Sequence, residues 1–280
     1  MSSFEESNRR LTGKRPYSKN AVDKAGSRWR DGEPYDPVPI EDFLEFNATF
    51  LSDLLQIAEE TAHSLILPLQ LGREPKVLPG SNTYIISGRV KTESTLLQKL
   101  RRMGTTPISN VQDVAGLRFD SSLTLSEQTK VAEVFRNAFL VEGAKRVDIR
   151  DLREDSHSGY RAIHLHIRSE LGRAEMQIRT ALQYKWANLY EEAADIYGRD
   201  IRYLHEKGVS MPPGAEDVVG QLHELSSLVK RIEELSDTRN PNLQPKIDAL
   251  QREMYGMLDD IHASTRVARP KRRPDDRLSD

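Results

Sequence analysis

The segment SGYRAIHLHIRSELGRAEMQIRT, Ser158 to Thr180, constrains the fold more than any other part of the chain. Arg161–Ser169 alternates bulky and polar side chains, Gly172–Arg173 is a turn, and Ala174–Arg179 alternates again, so the segment is expected to form a β-hairpin. Period two puts Tyr160, Ala162, His164 and His166 on one face of the first strand. On the second strand it puts Glu175, Gln177 and Arg179 on one face and Met176 and Ile178 on the other. A hairpin face of Glu, Gln and Arg is costly to desolvate. It calls for a salt-bridge network, or for a charged ligand with a metal.

Around the hairpin, strands are expected at Thr83–Val90, Gln112–Asp120 and Lys145–Leu152. Helices are expected at Ile40–Leu71, Lys91–Met103, Ser126–Phe139 and Ala181–Tyr197, the last closed by Gly198. This alternation, ending in two adjacent strands, predicts a mixed five-stranded α/β (α+β) sheet flanked by helices. Beyond Pro212–Pro213, apolar residues at heptad-like steps (Val218, Leu222, Leu225, Val229 and Ile232, then Ile247, Leu250, Met254, Met257 and Ile261) predict a helical hairpin broken at TRNPNLQP. Its stripe could pack on the domain, join subunits or dock a partner.

The expected organisation is a basic flexible extension over 1–36, the sheet-bearing domain over 37–210, the helical hairpin over 211–265 and a basic disordered tail over 266–280. Charge separates these parts. Residues 1–30 hold eight Lys/Arg against three Asp/Glu, and residues 266–280 hold six against three, on an acidic body. Such ends suit a polyanion, with Arg9, Arg10, Lys14 and Arg15 as candidate nucleic-acid contacts, or are solvated termini. The chain has no Cys, which excludes disulfides and thiolate metal sites and points to a reducing, cytoplasmic setting. No apolar run is long enough to span a bilayer, and MSSFEESNRR lacks the apolar core of a signal peptide.

Two further segments carry chemistry. SGRVKTESTLLQKLRR clusters Arg89, Lys91, Lys99, Arg101 and Arg102 beside a helix start that Thr92 or Thr95 can support. That is suited to polyphosphate, or is a solvated basic face. VQDVAGLRFD buries Asp113 and Arg118 within a strand marked by Val111, Val114, Leu117 and Phe119. Asp113 with Glu175 suits Mg²⁺, which takes one or two carboxylates plus phosphate oxygens. The alternative is an Asp113–Arg structural pair. Trp186, with Leu189, Ala193 and Ile196, reads as core.

The ordered set Arg89-x-Lys91…Lys99, Asp113-x-x-Gly116-x-Arg118, Gly159-Tyr160-Arg161-x-x-His164 and Glu175-x-Gln177-Ile178-Arg179-Thr180, then Trp186-Ala187, resembles the synthetase domain of RelA/SpoT proteins over roughly residues 83–203. The resemblance implies a nucleotidyltransferase-like fold and transfer of the β,γ-pyrophosphate of ATP to a nucleotide 3′-hydroxyl; no separate hydrolase domain fits before the match, so a small, single-domain synthetase is expected. It implies that Arg89, Lys91, Lys99, Arg118 and Arg179 meet the ATP phosphates. Asp113 and Glu175 hold Mg²⁺, and Glu175 also orients or deprotonates the hydroxyl. Tyr160 stacks on the acceptor base, with Arg161, His164 and Gln177 nearby.

Alarmone-making members usually approach Gly-Tyr-Arg through a Pro-Lys-rich segment. Here LREDSHSGYR carries Glu154 and Asp155. WANLYEEAADIYGRDIRY is similar to the toxic small alarmone synthetases of toxin–antitoxin and phage-defence systems. That resemblance implies a tRNA 3′-CCA acceptor and a neutralising antitoxin. Free guanosine or adenosine nucleotides are the alternative acceptors, and a silent nucleotide-binding module is the alternative to an enzyme.

Overall fold

The computed structural model describes residues 9–65, 70–72, 80–154, 158–201 and 210–268. Among them the elements are α1 (Lys19–Asp31), α2 (Val38–His63), β1 (Gln70–Leu71), β2 (Thr83–Val90), α3 (Glu93–Met103), β3 (Ala115–Ser121), α4 (Leu125–Val141), β4 (Arg146–Asp151), β5 (Ile163–Arg168), β6 (Arg173–Thr180), α5 (Ala181–Tyr197), α6 (Ala215–Asp237) and α7 (Gln244–Ala268). Contacts divide the described residues into two compact units. One holds those up to Arg153 together with Ala162–Ala181, and the other holds Glu154–Arg161 and those from Leu182 onward. By these contacts all but the first residue of α5 groups with the helical hairpin.

The first unit is built on a mixed sheet of order β1-β2-β3-β6-β5-β4. It has six strands rather than five because Gln70–Leu71 adds a two-residue edge parallel to β2. The helix expected to reach Leu71 ends at His63, and Pro68 lies outside the described residues. Strand β3 pairs antiparallel with β2 and parallel with β6, and the β5–β6 hairpin is antiparallel as expected. Thr124, not Ser126, opens α4: its hydroxyl accepts from the Glu127 amide while the Glu127 carboxylate accepts from the Thr124 amide.

Register gives the sheet two unlike faces. Leu117, Met176, Leu165 and Ile149 lie across neighbouring strands on one face, as do Phe119, Ile178 and Ile163. This face meets Phe50, Leu51, Leu54 and Ile57 of α2 and Val131, Phe135 and Phe139 of α4. Phe119 stacks on Tyr84 at 5.4 Å between ring centres and meets the edge of Phe135 at 5.0 Å. Gly88 lets α2 approach, since a Cβ there would stand 3.0 Å from Leu51. Each such buried side chain contributes about 1.5–3 kcal/mol of hydrophobic stabilisation.

A second cluster joins Val22 and Ala25 of α1, Ile40 and Phe43 of α2, and Leu96 and Leu100 of α3 to Ile108, Val111 and Val114. A Cβ on Gly26 would fall 2.6 Å from Ile108, so α1 crosses here only as glycine allows. Asp23 accepts from the Ser109 amide at 3.0 Å and hydroxyl at 2.9 Å, tying α1 to the same turn.

The flexible extension expected over 1–36 is thus corrected for residues 9–36. Leu11 is fully buried in the main core, and Ser18 caps α1. Arg10 is forked by Glu60 at 2.7 Å and Glu142 at 2.6 Å, and Arg15 donates to the Leu171 carbonyl at 3.1 Å. These two arginines hold the segment down. Residues 1–8, and the tail beyond 268, lie outside the described residues.

In the second unit the heptad stripe is covered. Val218, Leu222, Leu225, Val229 and Ile232 of α6 and Ile247, Leu250, Met254 and Ile261 of α7 form one core with Leu182, Trp186, Leu189, Tyr190 and Ala193 of α5. Docking or assembly through that stripe is therefore corrected to internal packing. Trp186 belongs to this core as expected, and its Nε1 donates to the Leu222 carbonyl at 2.6 Å.

Leu11→Ala is expected to destabilise the chain by about 2–5 kcal/mol, as a buried truncation does. Urea denaturation checks it, and an unchanged midpoint would mean that the segment contributes nothing to the core.

Candidate active site

The opposite sheet face carries the polar chemistry. Register aligns Arg89 of β2, Gly116 of β3, Glu175 of β6, His166 of β5 and Asp148 of β4 in one row. The adjacent row is Ser87, Arg118, Gln177, His164 and Arg150. Alternation on β5 and β6 is what turns these residues away from the core, as read for His164, His166, Glu175 and Gln177; Tyr160 and Ala162 precede β5, and Ala162 is fully buried. The middle of the sheet opens as a cleft of about 110 Å³ lined by Arg89, Lys91, Asp113, Gly116, Arg118, Glu175 and Gln177, among others.

Asp113 lies just before β3, where its carboxylate accepts from Lys99 Nζ at 2.6 Å and Lys91 Nζ at 3.1 Å. The partners expected for a structural pair were arginines; the observed ones are both lysines. Buried Leu96 and Leu100 anchor α3 and present Lys99 between them. Thr92 caps that helix, its hydroxyl accepting from the Thr95 amide. Burial pulls Lys91 below its ordinary pKa, and Asp113 opposes the shift. Arg89 is exposed and makes no ion pair among the described residues. Four cations thus surround two carboxylates, an excess that suits phosphate oxygens.

Glu175 sits deeper, held from two sides. His164 Nδ1 lies 3.5 Å from Oε1, His166 Nε2 lies 3.4 Å from Oε2, and Gln177 donates to Oε1 at 3.0 Å. Burial alone would push its carboxyl up. The histidine contacts and Gln177 outweigh burial and hold it well below the usual carboxylate range. Glu175 is therefore ionised at neutral pH. His166 was not among the expected site residues, although its spacing of two from His164 on one strand was the signal that both reach the same carboxylate.

Two donor sets are present. Asp113 and Glu175 offer hard carboxylate oxygens in one cleft, which fits Mg²⁺ shared with phosphate oxygens. His164, His166 and Glu175 hold potential ligand atoms within 4.8 Å of one another, a nitrogen-rich set more typical of transition ions.

Other expected site residues are placed differently. Arg179, expected at the ATP phosphates, is 2% exposed and donates to both oxygens of Asp120, at 2.6 and 2.9 Å. Asp120 and Arg179 are register partners across β3 and β6, and this fork is a structural ion pair. Arg10 is likewise committed to Glu60 and Glu142 rather than open to nucleic acid. Arg9 is half-buried, and Lys14 is exposed.

Tyr160 and Arg161 belong to the second unit. Tyr160 is half-buried with its ring centre 6.5 Å from Trp186, and Arg161 Nε donates to the Ser226 hydroxyl at 3.2 Å. Gly159 has φ +79°, and a Cβ there would stand 2.9 Å from Trp186, so this turn requires glycine. Glu154 is paired with Lys230 Nζ at 2.6 Å, and Asp155 lies outside the described residues.

The sheet thus has one helix-covered face and one cationic, carboxylate-bearing face. The family model described as a region found in RelA/SpoT proteins matches residues 88–201. Uncharacterized proteins of Mycobacterium tuberculosis H37Rv and Mycobacterium bovis are each 36% identical over 222 residues, covering 79% of this chain and 73% of theirs. The crystal structure of small alarmone synthetase 1 from Bacillus subtilis is similar, with 22% identity and a TM-score of 0.51 over 75% of this chain and 100% of that one. The same enzyme bound to its product pppGpp gives 21%, 0.52, 73% and 97%. The chain belongs to the RelA/SpoT family. No helix among the described residues is long and apolar enough to cross a membrane.

Asp120→Ala removes the carboxylate that forks the buried Arg179 guanidinium, and is expected to cost about 3–5 kcal/mol of stability. Chemical denaturation measures it; a loss of ATP affinity at unchanged stability would instead return Arg179 to the ligand set. Gly159→Ala is expected to destabilise the second unit, read as earlier loss of Trp fluorescence on heating.

Proposed function

We propose that the chain is an ATP-dependent pyrophosphokinase. A nucleotide 3′-oxygen attacks the β-phosphorus of ATP, the bond from the β-phosphorus to the α-phosphate oxygen breaks, AMP leaves, and the hydroxyl proton passes to solvent. The observation that carries this reading is the meeting, in one cleft, of Lys91, Lys99 and Arg118 with Asp113 and Glu175. Transfer of this kind is mostly positioning and charge stabilisation, and this cleft offers cations and carboxylates rather than an activated nucleophile.

Arg89, Lys91, Lys99 and Arg118 neutralise the triphosphate. Asp113 and Glu175 would hold Mg²⁺, which when bound supplies further charge neutralisation. To do so, Asp113 exchanges at least part of its double lysine contact for the ion, freeing the ammonium groups for phosphate. Glu175, held far below neutral pH, is a weak proton acceptor. It suits orientation of the 3′-hydroxyl better than its deprotonation. Gln177 and His164 fix the carboxylate, and Tyr160 and Arg161 serve the acceptor base.

The acceptor we propose is the tRNA 3′-CCA end, with growth inhibition as the consequence and a neutralising antitoxin as partner. The support is the sequence around Trp186 and the absence of the Pro-Lys-rich approach to Gly159. A free guanosine or adenosine nucleotide is the second reading. It is favoured by the commitment of Arg10 to internal pairs, which leaves one fewer cation for RNA.

Incubation with γ-³²P-ATP and Mg²⁺, offering GDP, GTP, AMP, ADP, ATP and deacylated tRNA in parallel, tests the reading. Label should move to one acceptor class, and Glu175→Gln should lower that rate roughly 10²-fold, the scale of a misplaced reacting group. No label on any acceptor would favour a silent binding module.

A further inference from the structure

A second concave site lies in the first unit, at the turn end of the β5–β6 hairpin. It is a cavity of about 150 Å³ walled by Arg15 and Lys19 from the N-terminal segment, Arg168 and Arg173 from the hairpin, and Asn47 and Asn110. Its charges are poorly matched by the protein itself. Arg168 and Arg173 stand directly opposite each other in register, a like-charge pairing that costs stability. The Arg173 side chain makes no hydrogen bond or ion pair among the described residues. Arg168 has its Nε buried without a partner, and its nearest carboxylate, Asp148, is 3.9 Å away.

The neighbouring acids are mostly engaged elsewhere. Glu170 takes Lys145 at 2.9 Å and Asp23 takes Ser109, while Asp148 gives one oxygen to Arg146 at 2.6 Å and leaves the other, buried without a hydrogen bond, 3.9 Å from Arg168. Burial, then the fields of Arg168 and Arg15, pull the Arg173 pKa down, which is the signature of cations crowding one another.

We propose that this cavity binds a phosphorylated ligand through its phosphate oxygens, at a site distinct from the Lys91–Asp113–Glu175 cleft. Guanidinium forks match phosphate oxygens in pairs, and an anion between the arginines converts their repulsion into attraction. Arg173 precedes Glu175 by two residues on the same face of β6, about 7 Å along the strand. One extended ligand can therefore reach both places. The phosphate is either a phosphodiester of an RNA acceptor or the phosphate group of a free nucleotide. Only that choice rests on the proposed function; recognition of phosphate does not.

The test uses the full chain and its Arg168→Met/Arg173→Met double variant, which keeps the apolar stems and removes both charges. Inorganic pyrophosphate, GTP and deacylated tRNA are titrated calorimetrically, and melting is recorded without ligand. Pyrophosphate also enters the Lys91–Lys99 cleft, so stoichiometry is read as well as affinity. The parent is expected to show two pyrophosphate sites and the variant one.

A loss of roughly tenfold or more in tRNA affinity alone assigns the site to RNA phosphodiesters, and the same loss for GTP assigns it to free nucleotides. Without ligand the variant should melt at the parent temperature or above it, because a repulsion has been removed. Unchanged binding of all three ligands overturns the proposal. So does a lower ligand-free melting temperature, which would make the arginines fold-stabilising in their own right. If no acceptor takes label from ATP while pyrophosphate binding still depends on these arginines, the site stands and the proposed function falls.

Discussion

The parallel pairing of β3 with β6 is the constraint on which the site depends. It lays Gly116 beside Glu175, Arg118 beside Gln177 and Asp120 beside Arg179. Antiparallel neighbours on either side then add Arg89 and Ser87 from β2 and both histidines from β5. Because side chains alternate, a shift of one residue in this pairing would move Glu175 into the α2–α4 core and Met176 into the cleft. Burial of Leu117, Phe119, Met176 and Ile178 opposes that shift, so the apolar face sets the geometry of the polar one.

The polar face sorts its charges by depth. Arg179 and Asp120, nearly inaccessible, satisfy each other and serve as structure. Asp113, Lys91 and Lys99, partly exposed, form a group whose pairing can be exchanged for a ligand. Glu175 lies between these extremes, buried yet kept ionised by its histidine neighbours. Further along the same strands, the Arg173 side chain makes no ion pair among the described residues, and Arg168 reaches Asp148 only at 3.9 Å. Charged side chains on one face therefore play different roles, separated by what lies within hydrogen-bonding reach.

The β5–β6 hairpin was legible because alternation is a local signal: seven residues suffice to assign Glu175 and Gln177 to one face and Met176 and Ile178 to the other. What stayed hidden was non-local. Nothing in RFD or QIRT alone indicates that Asp120 will face Arg179, because parallel partners are chosen by the whole sheet. The N-terminal segment was misread for a related reason. Its average polarity masks Leu11, Val22 and Ala25, all buried on partners far along the chain. The heptad stripe of α6 and α7 announced a buried face without saying that α5 covers it. The order of the charged motifs was legible throughout, but which lysines hold Asp113 required the fold of α3 against α1 and α2.

The central claim is that the cleft positions ATP for attack at its β-phosphorus. The most direct measurement is the co-product formed alongside labelled acceptor, resolved chromatographically in a single-turnover reaction. The account predicts AMP in one-to-one ratio with product carrying both transferred phosphates. ADP as the stoichiometric co-product, with a single phosphate transferred, would contradict it.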